Sequence, residues 1–300
     1  MKTPIIAIKV DVDTYSGTRE GVPRLLEMLD LLGIKATFYF SMGPDNSGKA
    51  IRRIFTRKGF LKKMIRTKAP AMYGVKTLLY GTILPAPQIA EAFPAILQSV
   101  YSRGHEVGIH CWDHVHWHDK LPEMPIDKVQ GELDKASQLF IETFHFRAET
   151  TAAPGWTVSP ASLQVQDTMS LKYCSDSRGC SPFYPVVDGK RYSTLQIPTT
   201  LPTMDELLGM DGISPSTIND HYLALIRPGL NVHTIHAELE GGGMADVFMD
   251  LSQRLQKADA RFLTLSQAAE AAKVTTPPDC ELVMKDIPGR AGLVAVQVLP

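Results

Sequence analysis

Three short islands carry side chains able to bind a cation and move protons: Asp11-Val12-Asp13, His110-Cys111-Trp112-Asp113-His114 and Thr234-Ile235-His236. Asp11 and Asp13 are two apart, so on a strand both carboxylates leave one face. Like charges held together resist joint ionisation unless a cation lies between them. The plainer alternative is a capped loop, Asp13-Thr14-Tyr15-Ser16-Gly17, entering the next helix. His110 and His114 stand four apart, a spacing that brings two rings together on a helical turn. His105, His116 and His118 lie close by, so five of the nine histidines fall within fourteen residues. A histidine-rich loop with local hydrogen bonds is the alternative there, and His105, ahead of the strand, reads as structural. Alternation in Val232–Ala237 puts Val232, Thr234 and His236 on one face, opposite His233. Two imidazoles and a carboxylate make an open three-ligand site of the kind that activates water for hydrolysis.

Each island closes a strand-like run, and such runs alternate with helical patterns. Ile5–Val10, Lys35–Phe40, Glu106–His110, a short run near Lys172–Ser175, Thr194–Pro198, Val232–Ala237 and Arg261–Thr264 read as strands. Helices are expected over Thr18–Leu32, Gln88–Arg103, Asp127–Thr143, from Ser159-Pro160, from Ser214-Pro215 to Arg227, and over Asp246–Ala260 and Ser266–Ala272. Repeated β-then-α order implies a parallel sheet, closed into a barrel or doubly wound. On one rim of such a sheet the strand ends converge, and with them the three islands. Pro277, Pro278 and Pro288 mark the end of the chain as a loop-rich tail.

Composition fits an ordinary soluble globular protein, with 44% hydrophobic and 21% charged residues. Four cysteines with no CxxC pair suit a reducing compartment. The first residues enter a strand without a basic leader, so no secretory signal is expected, and no apolar run reaches the ~18 residues of a bilayer span. The net charge of −1 hides an asymmetry. Between Asp45 and Glu91 there is no acidic residue but ten basic ones, leaving 21 basic residues against all 32 acidic ones elsewhere. A basic patch on an acidic body seeks anions.

Taken together, the islands resemble the polysaccharide deacetylase, or NodB-homology, family. The resemblance implies a distorted (β/α) barrel, an α/β fold, with Asp13, His110 and His114 as metal ligands, Asp11 as general base and His236 as general acid. It extends to Gly155-Trp156 and to Ser175-Asp176, where the acid would orient the catalytic histidine. Two departures stand out. The family usually has adjacent aspartates, whereas Val12 separates them here. Ala152 stands where an arginine normally orients the base, and Arg178 is the candidate substitute. Over nearly the whole chain the order of motifs resembles one subfamily, deformylases of 4-formamido-arabinose carried on undecaprenyl phosphate. Its marks are Asp11–Leu26, Gly43-Pro44-Asp45-Asn46, Gly104–His114, Ser175–Gly179, Ile197–Thr203 and Thr234–Gly241.

The expected organisation is one domain over 1–276, with an insertion at 46–87 and a tail at 277–300. The insertion interleaves its cations with Ile51, Ile54, Phe55 and other aliphatics, the pattern of a helix lying on anionic lipid. Arg52, Arg53, Lys62 and Lys63 are its candidate lipid contacts, and Trp156 a substrate contact. A solvated helix is the alternative; nucleic acid is not an expected partner, because the aromatics form no stacking platform. The implied reaction is hydrolysis of an N-formyl group on a lipid-linked amino sugar, in lipid A modification. The implied setting is the cytoplasmic face of a bacterial inner membrane, bound peripherally. Mixed N/O ligands favour Zn²⁺ and also accept Mn²⁺, Co²⁺ or Ni²⁺. A polymer N-deacetylase and a non-catalytic lipid-docking protein are the competing readings.

Overall fold

Strand β1 (Pro4–Val12) lies inside a seven-stranded parallel sheet and is buried along all but its first two residues. Burial on both faces accounts for its unbroken apolar run. Ile6, Ile8, Val10 and Val12 pack into the larger core, together with helix residues such as Leu25, Leu29 and Phe248. Ala7, on the other face, joins Tyr39, Ala152, Tyr173, Leu195, Ile197 and Val232 in a second cluster. Lys9 and Asp11 share that second face by the two-residue period.

The structure is a computed structural model and describes residues 3–52 and 77–299. From β1 the sheet extends through β2 (Thr37–Ser41), β3 (Glu106–Cys111) and β4 (Thr150–Thr151) to β5 (Tyr173–Cys174). On the other edge of β1 lies β8 (Gly229–His236), in a register that sets Asp11 opposite His236. The short β9 (Arg261–Leu263) pairs with residues 5–7 of β1, below the stretch paired with β2.

The gap between β5 and β8 is spanned by an irregular segment. Ile197 N–H donates to the Cys174 carbonyl (2.8 Å), and Thr200 N–H donates to that of Val232 (3.1 Å). The strand expected over Thr194–Pro198 is thus a series of isolated bridges, with Gln196 bridging both Cys174 and Phe183. Pro198, lacking an N–H, cannot continue a ladder. The expected distorted barrel is present as a parallel sheet, closed irregularly on one side.

The helices Val22–Leu32, Ile126–Phe144 and Ala245–Lys257 fall where periodicity places them, whereas the one expected over Gln88–Arg103 breaks at Phe93 into Ile89–Ala92 and Pro94–Ser102. Gly33 ends the first in the left-handed region (φ 65°), and Ser159 opens the helix Pro160–Thr168 with a capping box.

The tail is a correction. Residues 279–285 (β10, Asp279–Lys285) and 294–298 (β11, Val294–Val298) form an antiparallel pair. With β6 (Tyr184–Val187) and β7 (Lys190–Arg191) they build a second, four-stranded sheet. Cys280, Leu282 and Ala295 pack on Phe183 and Tyr192. The three prolines lie outside both strands and so bound them without breaking them. Of the basic insertion, the structure describes a short 3-10 helix, Ser47–Arg52, and the closing stretch from Thr77. The expected amphipathic segment lies otherwise outside the described residues.

Candidate metal centre and catalytic residues

β1, β3 and β8 bring the three islands to one rim. Asp13 Oδ1 lies 3.2 Å from His110 Nε2, and Asp13 Oδ2 lies 3.4 Å from His114 Nε2. Among the described residues this trio is the one group of histidine, cysteine and carboxylate ligands gathered within 4.8 Å. The two histidines do not share a helical turn, as their spacing suggested. His110 sits in β3, and His114 is the first residue of the helix His114–Lys120, with its cap Asp113 between.

His110 Nδ1 lies 2.7 Å from the Ala152 carbonyl, which can only accept, so that nitrogen carries a proton. In the neutral ring Nε2 is then a lone pair facing the buried Asp13 Oδ1, and only a protonated ring could donate to that oxygen. Two facing lone pairs are what a cation between them resolves. Tetrahedral ligands at about 2.0–2.1 Å from zinc stand about 3.3 Å apart, close to each of the two carboxylate–imidazole distances. The backbone carbonyl is the outer partner that metal-bound histidines commonly use. Burial pushes the Asp13 carboxyl up, but His114, His110 and His236 outweigh it and hold it well below the carboxylate range. Burial opposes charge on His110, yet Asp11 and Asp13 raise its pKa above the usual imidazole value. The residues present fit a divalent ion.

Side chains from distant elements fix these loops. Asp113 Oδ1 accepts the His116 N–H (3.0 Å), and Asn46 Nδ2 donates to Asp113 Oδ2 (2.6 Å). Asp45 Oδ2 accepts the Tyr15 N–H (2.9 Å), so Gly43-Pro44-Asp45-Asn46 braces two ligand-bearing loops at once. Glu238 Oε1 accepts from the backbone of Asp13 (3.1 Å) and Thr14 (2.8 Å) and from the Thr14 hydroxyl (2.7 Å). Burial, then the nearby Asp13 charge, pushes Glu238 up to about 8. Two π-turns, Gly17–Gly21 and Leu239–Gly243, meet where Gly241 presses on Gly21; a Cβ on Gly241 would fall 2.5 Å from the Gly21 carbonyl oxygen. Such bulges often occur at functional sites.

His236 ends β8 beside Asp13, and its Nδ1 is buried without a hydrogen-bond partner. Its backbone N–H donates to Glu240 Oε2 (2.8 Å). Asp11 Oδ2 lies 3.3 Å from Lys9 Nζ, and Asp11 Oδ1 is buried and unpartnered. Lys9 was missed in the sequence. The available signal was a lone cation two residues before Asp11, on the same face of a strand otherwise apolar on both sides.

Other expectations need correcting. Arg178 does not meet Asp11: its guanidinium donates to Glu206 (2.7 and 2.9 Å) and to the Leu201 carbonyl (3.0 Å). Glu206 closes the capping box of Thr203 and so sits close to that chain segment. Asp176 makes no hydrogen bond to His236; Gln166 and Gln196 both donate to its Oδ2 at 3.0 Å. Trp156 is 2% exposed, its Nε1 donating to Thr199 Oγ1 (3.0 Å), so it serves the interior and no lipid. His105 is structural as expected: its Nδ1 accepts the Ala36 N–H (3.1 Å), and burial lowers its pKa to about 4. Arg53, Lys62 and Lys63 lie outside the described residues, and of Arg52 only the backbone position in its 3-10 helix is described.

Comparison with known proteins fits this geometry. The chain is 38% identical, over 97% of its length and 94% of the relative's, to a protein of Shewanella sediminis described as a probable 4-deoxy-4-formamido-L-arabinose-phosphoundecaprenol deformylase ArnD. A protein of Wigglesworthia glossinidia brevipalpis with the same description is 32% identical over 94% of this chain and 98% of its own. The fold matches a solved probable polysaccharide deacetylase of Pseudomonas aeruginosa PAO1 at TM-score 0.63 and 13% identity, over 91% and 92% of the two chains. Residues 2–174 match the family model described as polysaccharide deacetylase. On these grounds the chain belongs to the polysaccharide deacetylase family.

Proposed function

We propose that this protein is a metal-dependent amide hydrolase. It removes the N-formyl group from 4-deoxy-4-formamido-L-arabinose linked to undecaprenyl phosphate and releases formate. The observation that carries the reading is the convergence of Asp13, His110 and His114 beside Asp11 and His236, in a chain 38% identical to a relative bearing that description.

A divalent ion held by Asp13, His110 and His114, with Zn²⁺ favoured, supplies Lewis acidity that polarises a carbonyl oxygen and acidifies water. Asp11 accepts the proton of the attacking water at its unpartnered Oδ1. Water adds to the formyl carbon, the C–N bond breaks, and His236 delivers a proton to the leaving nitrogen. Formate and a free sugar amine result, and atoms balance. His236 is held for this step by the strand pairing that sets it opposite Asp11 and by the Glu240 clamp on its N–H.

No helix among the described residues is long and apolar enough to cross a membrane. A lipid-linked substrate therefore requires a surface contact. The ten cations between Asp45 and Glu91 supply charge for docking on anionic lipid at the cytoplasmic face, each contributing ~1 kcal/mol at most. The test of function is formate release from the formylated lipid-linked sugar, with and without chelator. Zinc-loaded protein that releases none, or that prefers an acetylated sugar polymer and yields acetate, refutes the reading.

A further inference from the structure

We infer that Lys9 is the positioning residue for Asp11, a buried ammonium standing where relatives of this fold are expected to use a guanidinium; this rests on Asp11 being the base. Lys9 is 0% exposed and among the largest fully buried side chains. A lysine in that position is unfavourable unless its charge is matched and its donors are used. The partners are all accounted for. Nζ lies 3.3 Å from Asp11 Oδ2, donates to the Ser175 carbonyl at 3.1 Å, and sits over the rings of Tyr39 (5.6 Å) and Trp156 (5.4 Å). Asp176, on the residue after Ser175, also feels its charge.

This arrangement treats the two oxygens of Asp11 differently. Oδ2 is held by the ammonium, whereas Oδ1 is buried and has no hydrogen-bond partner. One oxygen is anchored and the other is left to receive a proton. Both residues project from β1, a strand with neighbours on both edges, so their separation is set by a rigid element and not by a loop. Among the described residues, the other cations stacked on Trp156 face acids elsewhere, Arg290 lying 3.7 Å from Asp205 and from Glu206. Arg178 is committed to Glu206 and the Leu201 carbonyl, and position 152 is an alanine whose carbonyl orients His110.

A double-mutant cycle on the full-length, zinc-loaded protein tests the assignment, using Lys9→Met, Asp11→Asn and both together. Lys9→Met should lower kcat by about 10²-fold, with KM and zinc content held within about threefold. Lys9→Arg should recover about tenfold of that loss. The double variant should turn over no more slowly than Asp11→Asn alone, because Lys9 acts through Asp11. Losses that multiply, an unchanged kcat in Lys9→Met, or zinc lost in step with activity would overturn the inference. If Lys9→Met alone fails to fold, a folded Lys9→Met/Asp11→Asn supports the pairing, and an unfolded one overturns it. Wild-type protein that releases no formate refutes the functional reading alone. The thermal midpoints of the same four proteins then still decide the pairing: coupling between the two sites supports it, and additivity ends it.

Discussion

Glu240 offers a test of how the end of β8 is built. Its carboxyl is fully buried, accepts the His236 N–H through Oε2, and leaves Oε1 without a partner. Burial pushes its pKa up from 4.5 to about 8, against the lowering effect of the His236 N–H. Because the folded pKa lies above the unfolded one, the folded state holds the proton more tightly across that window. The resulting stabilisation is fully present below pH 4.5 and is lost as pH rises through 8. Each pH unit inside the window is worth about 1.4 kcal/mol, so from pH 5.5 to 7.5 this group alone removes about 2–3 kcal/mol. Glu240→Gln keeps the acceptor for His236 but cannot titrate. Urea unfolding of chelator-treated protein at the two pH values should show wild type falling relative to the variant by that amount. Parallel stability curves would refute the reasoning, since they would mean that Glu240 titrates alike folded and unfolded.

His236→Ala should keep zinc but lose about 10²–10⁴-fold in kcat, as for a lost acid catalyst; near-normal turnover would contradict its role. Metal affinity should weaken on acidification, starting above the ordinary imidazole pKa, because Asp11 and Asp13 raise His110 and its proton competes with the ion; isothermal titration of Zn²⁺ across pH 6–8 measures this. Gly241→Ala should destabilise the fold by about 1–3 kcal/mol and lower activity, because its Cβ meets the backbone of Gly21, which cannot swing aside. Neutralising Arg52, Arg53, Lys62 and Lys63 together should weaken flotation with anionic vesicles while sparing hydrolysis of a water-soluble formamide analogue.

The candidate ligands were legible in the sequence because their chemistry is local. Asp-x-Asp at the end of one strand and His-x-x-x-His at the end of another each announce themselves, and parallel β/α order predicts that such ends converge. The surrounding electrostatics were not legible. Arg178 looked like the missing cation, but sequence cannot show that Glu206, twenty-eight residues on, already claims it. Lys9 was passed over, since only burial of both faces of β1 makes its charge costly enough to need Asp11. The tail failed differently. Prolines at 277, 278 and 288 were read as breakers, whereas they delimit two strands whose alternation, Cys280 and Leu282 inward, was already present.

The acidic residues around the centre divide into two kinds of work. Asp11 and Asp13 lie against His110 in the candidate centre, whereas Glu238, Asp45, Asp113 and Glu240 brace the chain around it. Each of those four accepts a backbone N–H beside a functional island: at Asp13, Tyr15, His116 and His236 respectively. Loops at the end of a sheet leave such donors unpaired, and an unpaired buried N–H costs about as much as a lost hydrogen bond. Acidic side chains fill the deficit, Glu238 and Asp45 from other elements and Asp113 and Glu240 from within four residues, and fix where each loop stands. A cluster of acids here is therefore mostly a set of splints. A histidine and an aspartate can be kept 3.2 Å apart, poised for a shared cation, where the chain on both sides is fastened in this way.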